Sequence, residues 1–167
     1  PNPERASAII VASDTTVAID GMILGKPADP DDAVNMLSML RNRSHQVISA
    51  ICLLRTDDGA LLERANTTSV WMRDYTDREI DEYVRSGDPL DKAGAYGIQH
   101  RGFNPVSALD GCYAGVMGLP LADLCDLLAQ FGIRTPTPAR KACEAFNTFA
   151  CCASHQVHTT HIDLPID

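Results

Sequence analysis

The hydrophobic pattern alternates between strand-like and helix-like spacing along most of the chain. Residues 8–19 combine β-branched and apolar side chains, and the first half of this run is nearly continuous. Such a run is typical of a central strand that is buried on both faces. The pair Asp20-Gly21 indicates a turn, and we expect residues 22–24 to return as a short strand.

Three further stretches predict helices with recognisable starts. Asp29 followed by Pro30 is typical of an N-cap and a first helical residue, and apolar side chains then recur at helical spacing through residue 40. The sequence Thr76-Asp77-Arg78-Glu79 is a capping box that opens a helix through residue 85. A third helix is expected over residues 119–131.

The remaining apolar segments predict strands. Residues 44–56 and 61–73 are rich in Val, Ile, Leu and Thr, and the turn sequence Asp57-Asp58-Gly59 separates them, so they should form a hairpin. Residues 103–109 are a further candidate strand. Hairpins combined with strand–helix alternation favour an α/β or α+β fold.

The amino-acid composition argues against some classes of function. The chain has 167 residues, of which 45% are hydrophobic and 22% charged, and this favours one globular domain. No apolar run reaches the roughly 18 residues of a membrane span, so no membrane association is expected. The formal net charge of -8 argues against a nucleic-acid polymer as partner. A local cluster of cations could still bind one phosphorylated small molecule.

Four segments carry candidate chemistry. Asp14 follows an apolar run, where a carboxylate can hold a divalent metal or activate water, or can simply cap a turn. Lys26 lies between Gly25 and Pro27, which suits either a phosphate contact or a solvated loop. Residues 86–99 form a Gly-rich loop with two acids, a Lys and a Gln, and the alternative is a surface Ω-loop. Residues 111–121 are glycine-rich and lead into a helix.

Taken together and in order, these segments resemble the Maf family of nucleoside triphosphate pyrophosphatases. The resemblance covers residues 8–132 and rests on the segments DTTVAIDGMILGKP, MLSML with RNRSHQV, EIDEYVRSGDPLDKAGAYGIQ and GCYAGVMGLPLADL. The DKAGAYGIQ segment is the most specific of them. The resemblance implies an α/β fold related to the inosine-triphosphatase superfamily, with a mixed sheet, flanking helices and a deep cleft.

The resemblance also implies an activity and a set of site residues. Members of the family hydrolyse nucleoside triphosphates to the monophosphate and pyrophosphate with a divalent cation, here expected to be Mg²⁺ or Mn²⁺. Asp14 takes the position of the proton acceptor and metal-binding carboxylate. Lys26 and Lys92 line the phosphate end, and Thr15 and Gln99 are associated with substrate choice. The GIQ sequence is similar to the branch that prefers dTTP and UTP.

The chain departs from the family pattern at two points. Members open with a Ser-Pro-Arg-Arg-type loop that binds phosphates, and no such motif precedes residue 8, so the first strand, loop and helix of the pattern are expected to be missing. A non-catalytic nucleotide-binding or regulatory protein is therefore the alternative function. The second departure is His100, which stands where the family usually has Gly. Its side chain is expected either to border the base pocket or, as the preferred alternative, to point to solvent.

The C-terminal part is interpreted as a tail over residues 133–167, after a domain over residues 1–132. It holds six potential zinc ligands, whose spacing matches no standard structural finger: Cys143, Cys151, Cys152, His155, His158 and His161. A loosely ordered extension, or one that packs Phe146 and Phe149 on the domain, is the preferred interpretation, with a tail-mediated interaction or metal-binding role as a third functional hypothesis. We expect a cytoplasmic protein, for which a homodimer is an option.

Overall fold

A computed structural model describes residues 7–145 and residue 149. Five strands form one sheet in the order β2-β1-β3-β4-β5. The strands are β1 (Ile9–Ile19), β2 (Met22–Leu24), β3 (Ser44–Arg55), β4 (Leu61–Met72) and β5 (Val106–Asp110). The helices are α1 (Pro30–Leu40), α2 (Asp77–Arg85), α3 (Tyr113–Val116), α4 (Leu121–Gln130) and α5 (Ala139–Glu144). The expected α/β class with flanking helices is confirmed.

The direction of the strands differs from the expectation of a mixed sheet. All four strand pairs of the described sheet are antiparallel. Short turns join β1 to β2 and β3 to β4, and antiparallel strands are the ones that such short connections can join. Side chains of β3 alternate between buried and exposed positions, which is typical of a sheet that packs one face against helices.

The buried face of the sheet carries two separate apolar clusters. At one end, Val17 and Val47 pack with helices α1 and α2 in the larger cluster. At the other end, Ile51 and Leu53 pack against Leu127 of α4. Between the two clusters this face carries polar side chains, which are at least partly open to solvent on β1 and buried on β3.

The predicted burial of β1 on both faces is wrong for its first half. Ile10 is 53% exposed and Val11 is 43% exposed. Strand β2 pairs only with residues 17–19, so among the described residues the earlier part of β1 has no strand partner on that edge. In the first half of β1, the apolar run therefore indicates strand propensity and does not indicate burial.

The helix starts follow the predicted capping chemistry. Asp29 caps α1 by accepting a hydrogen bond from the backbone N–H of Asp32 at 2.8 Å. At α2 the Thr76 hydroxyl accepts from the N–H of Glu79, while the Glu79 carboxylate accepts from the N–H of Thr76. These bonds satisfy N–H groups that a helix start otherwise leaves unpaired.

The first residues of the expected tail pack on the rest of the molecule. Helix α5, which the sequence pattern did not predict, buries Cys143 against Cys112, Ala114 and Leu121. Phe149 stacks on Tyr113 with ring centroids 5.9 Å apart, as the sequence interpretation preferred. Phe146, Cys151, Cys152 and the three tail histidines lie outside the described residues, so the hypotheses about them stay predictions.

No helix within the described ranges has the length and apolar character needed to cross a bilayer.

Candidate active site

A cleft of about 320 Å³ opens over the middle section of the sheet. Its floor comes from β1 and β3, where Ser13, Thr15, Val17 and Val47 line it. Ser49, the next core-facing residue of β3, is buried beneath this floor. Its walls come from the loop after β2, the loop after α2 and the segment after α3. All five site residues predicted from the sequence line this cleft: Asp14, Thr15, Lys26, Lys92 and Gln99.

Asp14 lies at the open edge of β1, where its carboxylate is exposed to solvent. One oxygen, Oδ1, accepts a hydrogen bond from the backbone N–H of Thr15 at 2.9 Å. This bond fixes the carboxylate next to the strand. The arrangement leaves the second oxygen available to a ligand, because it makes no hydrogen bond with any described residue.

Lys26 is the lysine of the cleft whose ammonium is not paired with any described residue. Its side chain is exposed, and its ammonium makes no hydrogen bond or ion pair with the described residues. The loop that carries it is nevertheless fixed, because Gly25 accepts a backbone hydrogen bond from Gly94 at 3.0 Å. An exposed ammonium on a fixed loop can pair with an anionic ligand without first breaking a contact within the protein.

Lys92 is held by its own loop. Its ammonium donates to the carbonyl oxygen of Asp88 and to Asp91 Oδ1, both at 2.7 Å, and pairs with Asp88 Oδ1 at 3.1 Å. Burial alone lowers the pKa of Lys92, but the two carboxylates outweigh it and the pKa lies above its ordinary value. Lys92 therefore stays charged at neutral pH, with all three of its protons directed at acceptors of the loop.

Tyr83 of α2 anchors the same loop. Its hydroxyl accepts from the backbone N–H of Gly97 at 3.0 Å and donates to Asp88 Oδ2 at 2.6 Å. Burial is the main cause that raises the pKa of Tyr83, so the hydroxyl remains a donor at neutral pH. Residues 94–98 are buried, so this segment is part of the packed fold and not a surface Ω-loop.

The side chains of Gln99 and Lys92 both lie next to Gly97, which has no side chain of its own. A Cβ placed on Gly97 would come within 3.2 Å of Lys92 Cε and 3.4 Å of Gln99 Oε1. Glycine at this position thus allows the two side chains to lie close together at the cleft. The exposed Gln99 carboxamide offers both a donor and an acceptor to a ligand.

His100, in contrast, lies away from this cleft, and the expectation that it points to solvent is wrong. Its ring is half-buried and lies 4.6 Å from the Tyr83 ring. Its Nδ1 accepts from the backbone N–H of Phe103 at 2.9 Å. His100 therefore closes the turn that follows the loop, and it lines a smaller pocket beside Glu79 and Glu82.

A hydrogen-bond chain runs beneath the cleft floor. Thr15 Oγ1 lies 2.7 Å from Ser49 Oγ, and Ser49 Oγ donates to the carbonyl oxygen of Gly115 at 2.6 Å. Ser13 Oγ likewise bonds the carbonyl oxygen of Gly118 at 2.7 Å. These bonds tie β1 and β3 to the α3 segment that forms one wall.

A buried histidine supports the opposite wall. His45 Nε2 lies 2.7 Å from the hydroxyl of Tyr96, a buried residue that lines the cleft. Burial lowers the pKa of His45 to about 4, so the imidazole is neutral at physiological pH. His45 Nδ1 has no hydrogen-bond partner among the described residues.

The donor set suits a divalent cation that arrives with a phosphate ligand. No group of three or more His, Cys, Asp or Glu side chains in the described part of the chain could hold a metal. Mg²⁺ is usually bound through one or two carboxylates together with waters and substrate phosphates, and Asp14 provides such a carboxylate. The residues therefore fit a cation shared with a polyphosphate.

Sequence reasoning assigned no role to Ser13 or Ser49, nor to Tyr83, which holds the loop. Ser49 stands in the series Val47, Ser49, Ile51, Leu53, so a polar residue at a core-facing position was the available signal. The pairing of Tyr83 with Asp88 had no comparable signal, because it depends on how the loop folds back on α2.

Comparison with known proteins agrees with this geometry. Residues 2–131 match the family described as "Maf-like protein". The chain is 46% identical to a dTTP/UTP pyrophosphatase of Dictyoglomus turgidum over 129 residues, which are 77% of this chain and 67% of that protein. It is 48% identical to the dTTP/UTP pyrophosphatase of Dehalococcoides mccartyi, over 74% of this chain and 55% of that protein.

A third relative is the dTTP/UTP pyrophosphatase of Chromobacterium violaceum, which is 46% identical over 80% of this chain and 65% of its own length. The chain thus spans 55% to 67% of the length of these three relatives.

Proposed function

The chain belongs to the Maf family, and from that premise we propose that it hydrolyses dTTP and UTP to the monophosphate and pyrophosphate. The observation that supports this proposal is the cleft, in which residues from five separate stretches of the sequence meet. They supply a carboxylate, two ammonium groups and a carboxamide, which are the groups that a metal-bound nucleoside triphosphate requires. The names of the relatives support the choice of substrate.

Asp14 is the catalytic carboxylate in this proposal. Its position at the open edge of β1 gives a ligand and a water molecule access to Oδ2, while the Thr15 N–H holds Oδ1. A carboxylate held in this way can accept a proton from the attacking water. Together with phosphate oxygens, Asp14 would also hold a divalent cation, which would neutralise charge on the triphosphate.

The charge balance of the cleft explains why such a cation is needed. Two lysines, Lys26 and Lys92, and two aspartates, Asp14 and Asp91, line the cleft. Their formal charges cancel, whereas a triphosphate carries several negative charges. Lys26 can pair with phosphate oxygens directly, and Lys92 can do so as its contacts with Asp91 and Asp88 are exchanged.

Base recognition is assigned to Thr15 and Gln99. Uracil and thymine present a carbonyl, an imino N–H and a second carbonyl along one edge. Between them, the Thr15 hydroxyl and the Gln99 carboxamide can accept from the N–H and donate to a carbonyl of that edge, whereas cytosine reverses part of the pattern. The proposal therefore includes a preference for dTTP and UTP over dCTP and CTP.

The test is a panel of UTP, dTTP, CTP, ATP and GTP with Mg²⁺, in which pyrophosphate and orthophosphate are measured separately. The proposal predicts pyrophosphate, formed fastest from UTP and dTTP. Tight binding of these nucleotides without turnover would contradict the proposed activity and favour the non-catalytic nucleotide-binding alternative. Orthophosphate as the product would indicate cleavage of a different bond. Whether the protein forms a homodimer, and whether it resides in the cytoplasm, remain predictions.

A further inference from the structure

The hydrogen-bond chain of Thr15, Ser49 and Gly115 has a fixed direction. A carbonyl oxygen can only accept, so the 2.6 Å contact between Ser49 Oγ and the Gly115 carbonyl oxygen uses the single hydroxyl proton of Ser49. Ser49 Oγ must then accept in its 2.7 Å contact with Thr15 Oγ1. The proton of Thr15 is therefore directed at Ser49 and away from the cleft.

This direction determines what Thr15 can bind. Thr15 lines the cleft, and with its only proton used its hydroxyl can offer a ligand nothing but lone pairs. Lone pairs bind an N–H or O–H of a ligand and repel a carbonyl or phosphate oxygen. Thr15 is consequently a poor phosphate contact and a good partner for a donor on the base.

We propose that Ser49 is a positioning residue that makes Thr15 an obligate hydrogen-bond acceptor, so that Thr15 selects bases with an imino N–H, uracil and thymine, against cytosine. This inference rests on the proposed nucleotide substrate. Cytosine carries a bare lone pair at N3, which would face the lone pairs of Thr15. With the imino N–H bound to Thr15, the Gln99 carboxamide is left to donate to a neighbouring carbonyl.

Ser49 acts through Thr15 and does not touch the ligand, because it is only 1% exposed. Its replacement by Ala leaves the Gly115 carbonyl oxygen paired, since the N–H of Gly118 also donates to it at 2.8 Å. The fold should therefore tolerate Ser49→Ala. In that variant the Thr15 proton is released and can turn into the cleft, where it can donate to N3 of cytosine.

The experiment measures binding of α,β-methylene UTP and α,β-methylene CTP, in which the bond to be cleaved is blocked, by titration calorimetry. We expect the original protein to bind the UTP analogue about tenfold or more tightly than the CTP analogue. In Ser49→Ala this ratio should fall to about twofold, mainly because the CTP analogue binds better. A gain of affinity for one ligand is a change that a merely loosened structure would not produce.

Ser107→Ala is the matched control, because Ser107 Oγ also donates to a backbone carbonyl of the sheet, that of Trp71, but lies outside the cleft. It should keep the original ratio. Thr15→Val is the second variant: it removes the acceptor, and the ratio should fall because the UTP analogue binds less tightly. A ratio that stays the same in Ser49→Ala would overturn the inference, whatever Thr15→Val does, and so would the absence of any preference in the original protein.

These outcomes are separable from failure of the proposed function. Binding of the blocked analogues does not depend on turnover. A protein that prefers the UTP analogue, loses that preference in Ser49→Ala and yet forms no pyrophosphate from UTP would support this inference and contradict the proposed activity. Pyrophosphate formation with an unchanged ratio would do the reverse.

Discussion

The backbone N–H of Gly94 donates a hydrogen bond to the carbonyl oxygen of Gly25 at 3.0 Å. This bond joins two loops that lie almost 70 residues apart in the sequence. Each loop carries one lysine of the cleft, Lys26 next to Gly25 and Lys92 shortly before Gly94. The contact thus sets the distance between the two cations, and its geometry requires a residue with a positive φ at position 94.

Gly94→Ala should destabilise the protein and lower its activity together. Gly94 has φ +69°, and an added Cβ would lie 3.0 Å from Cγ1 of the buried Val17. We expect a loss of about 2–4 kcal/mol in the free energy of unfolding, from the strained backbone and the overlap combined. Urea denaturation measures it.

Gly59→Ala provides the control for this substitution. Gly59 has a similar φ of +74°, but an added Cβ would meet nothing within 4 Å. It should cost only the backbone strain, about 1–2 kcal/mol. Equal losses in the two variants would show that the Val17 contact does not constrain the loop.

Lys26→Ala and Lys92→Ala should have different effects. Because Lys26 has no partner among the described residues, its loss should lower kcat/KM for UTP by about 10–100-fold with little change in Tm. Lys92 holds Asp88 and Asp91, so its loss should lower both kcat/KM and Tm. The two measurements are made side by side on both variants; a large drop of Tm in Lys26→Ala would refute the assignment of Lys26 as a free ligand for phosphate.

Gln99→Ala should reduce the preference for UTP over CTP. A carboxamide that matches the uracil edge favours UTP roughly ten- to a hundredfold, since an unmatched buried polar group costs about 1–3 kcal/mol. Removal of the carboxamide should lower kcat/KM for UTP more than for CTP. If the ratio of the two kcat/KM values is the same in the variant, Gln99 does not contact the base.

Stability should fall with acid between about pH 6.5 and pH 4 because of His45. Its pKa is lowered from 6.5 to about 4 by burial, so below pH 6.5 the unfolded chain binds a proton that the folded protein does not. The stability is therefore fully present above pH 6.5 and decreases as the pH falls toward 4, by up to about 3 kcal/mol.

His45→Gln tests this account, because Gln can still bond the Tyr96 hydroxyl but does not titrate. The difference in Tm between pH 7 and pH 4.5 should be smaller in this variant than in the original protein. An identical pH dependence of Tm in the two proteins would show that His45 does not cause the acid effect.

Much of the cleft was predictable because its residues sit in short, ordered segments of the sequence. Asp14, Lys26, Lys92 and Gln99 were identified from such segments, and the structure brings them to one cleft. The sequence could not show which hydrogen bonds and ion pairs each polar side chain makes. Lys26 and Lys92 look alike as loop lysines, yet only Lys92 is paired with carboxylates of its own loop.

The errors in the fold prediction have a similar origin. The apolar start of β1 indicated burial, but burial depends on which neighbours cover a strand, and local sequence does not encode them. His100 was assigned to solvent because nothing in the sequence indicated that Tyr83 would lie against its ring. The helix α5 was missed because it is only six residues long and lacks a capping signal.

Asp14→Asn should abolish hydrolysis and leave the fold intact. The carboxylate is exposed and its one bond within the described structure, from the Thr15 N–H, can be kept by the amide oxygen. Loss of a catalytic base typically costs about 10²–10⁴-fold in rate. The rate is measured with UTP and Mg²⁺, and an unchanged Tm shows that the fold is retained. A variant that hydrolyses UTP at the original rate would remove Asp14 from the mechanism.

The proposed cleavage of UTP between the α- and β-phosphates can be observed by ³¹P NMR of the reaction mixture. We expect the resonances of UMP and pyrophosphate to grow in equal amounts with the purified 167-residue chain and Mg²⁺, and neither to grow with Asp14→Asn. Formation of UDP and orthophosphate, or the same products at the same rate from the Asp14→Asn variant, would contradict it.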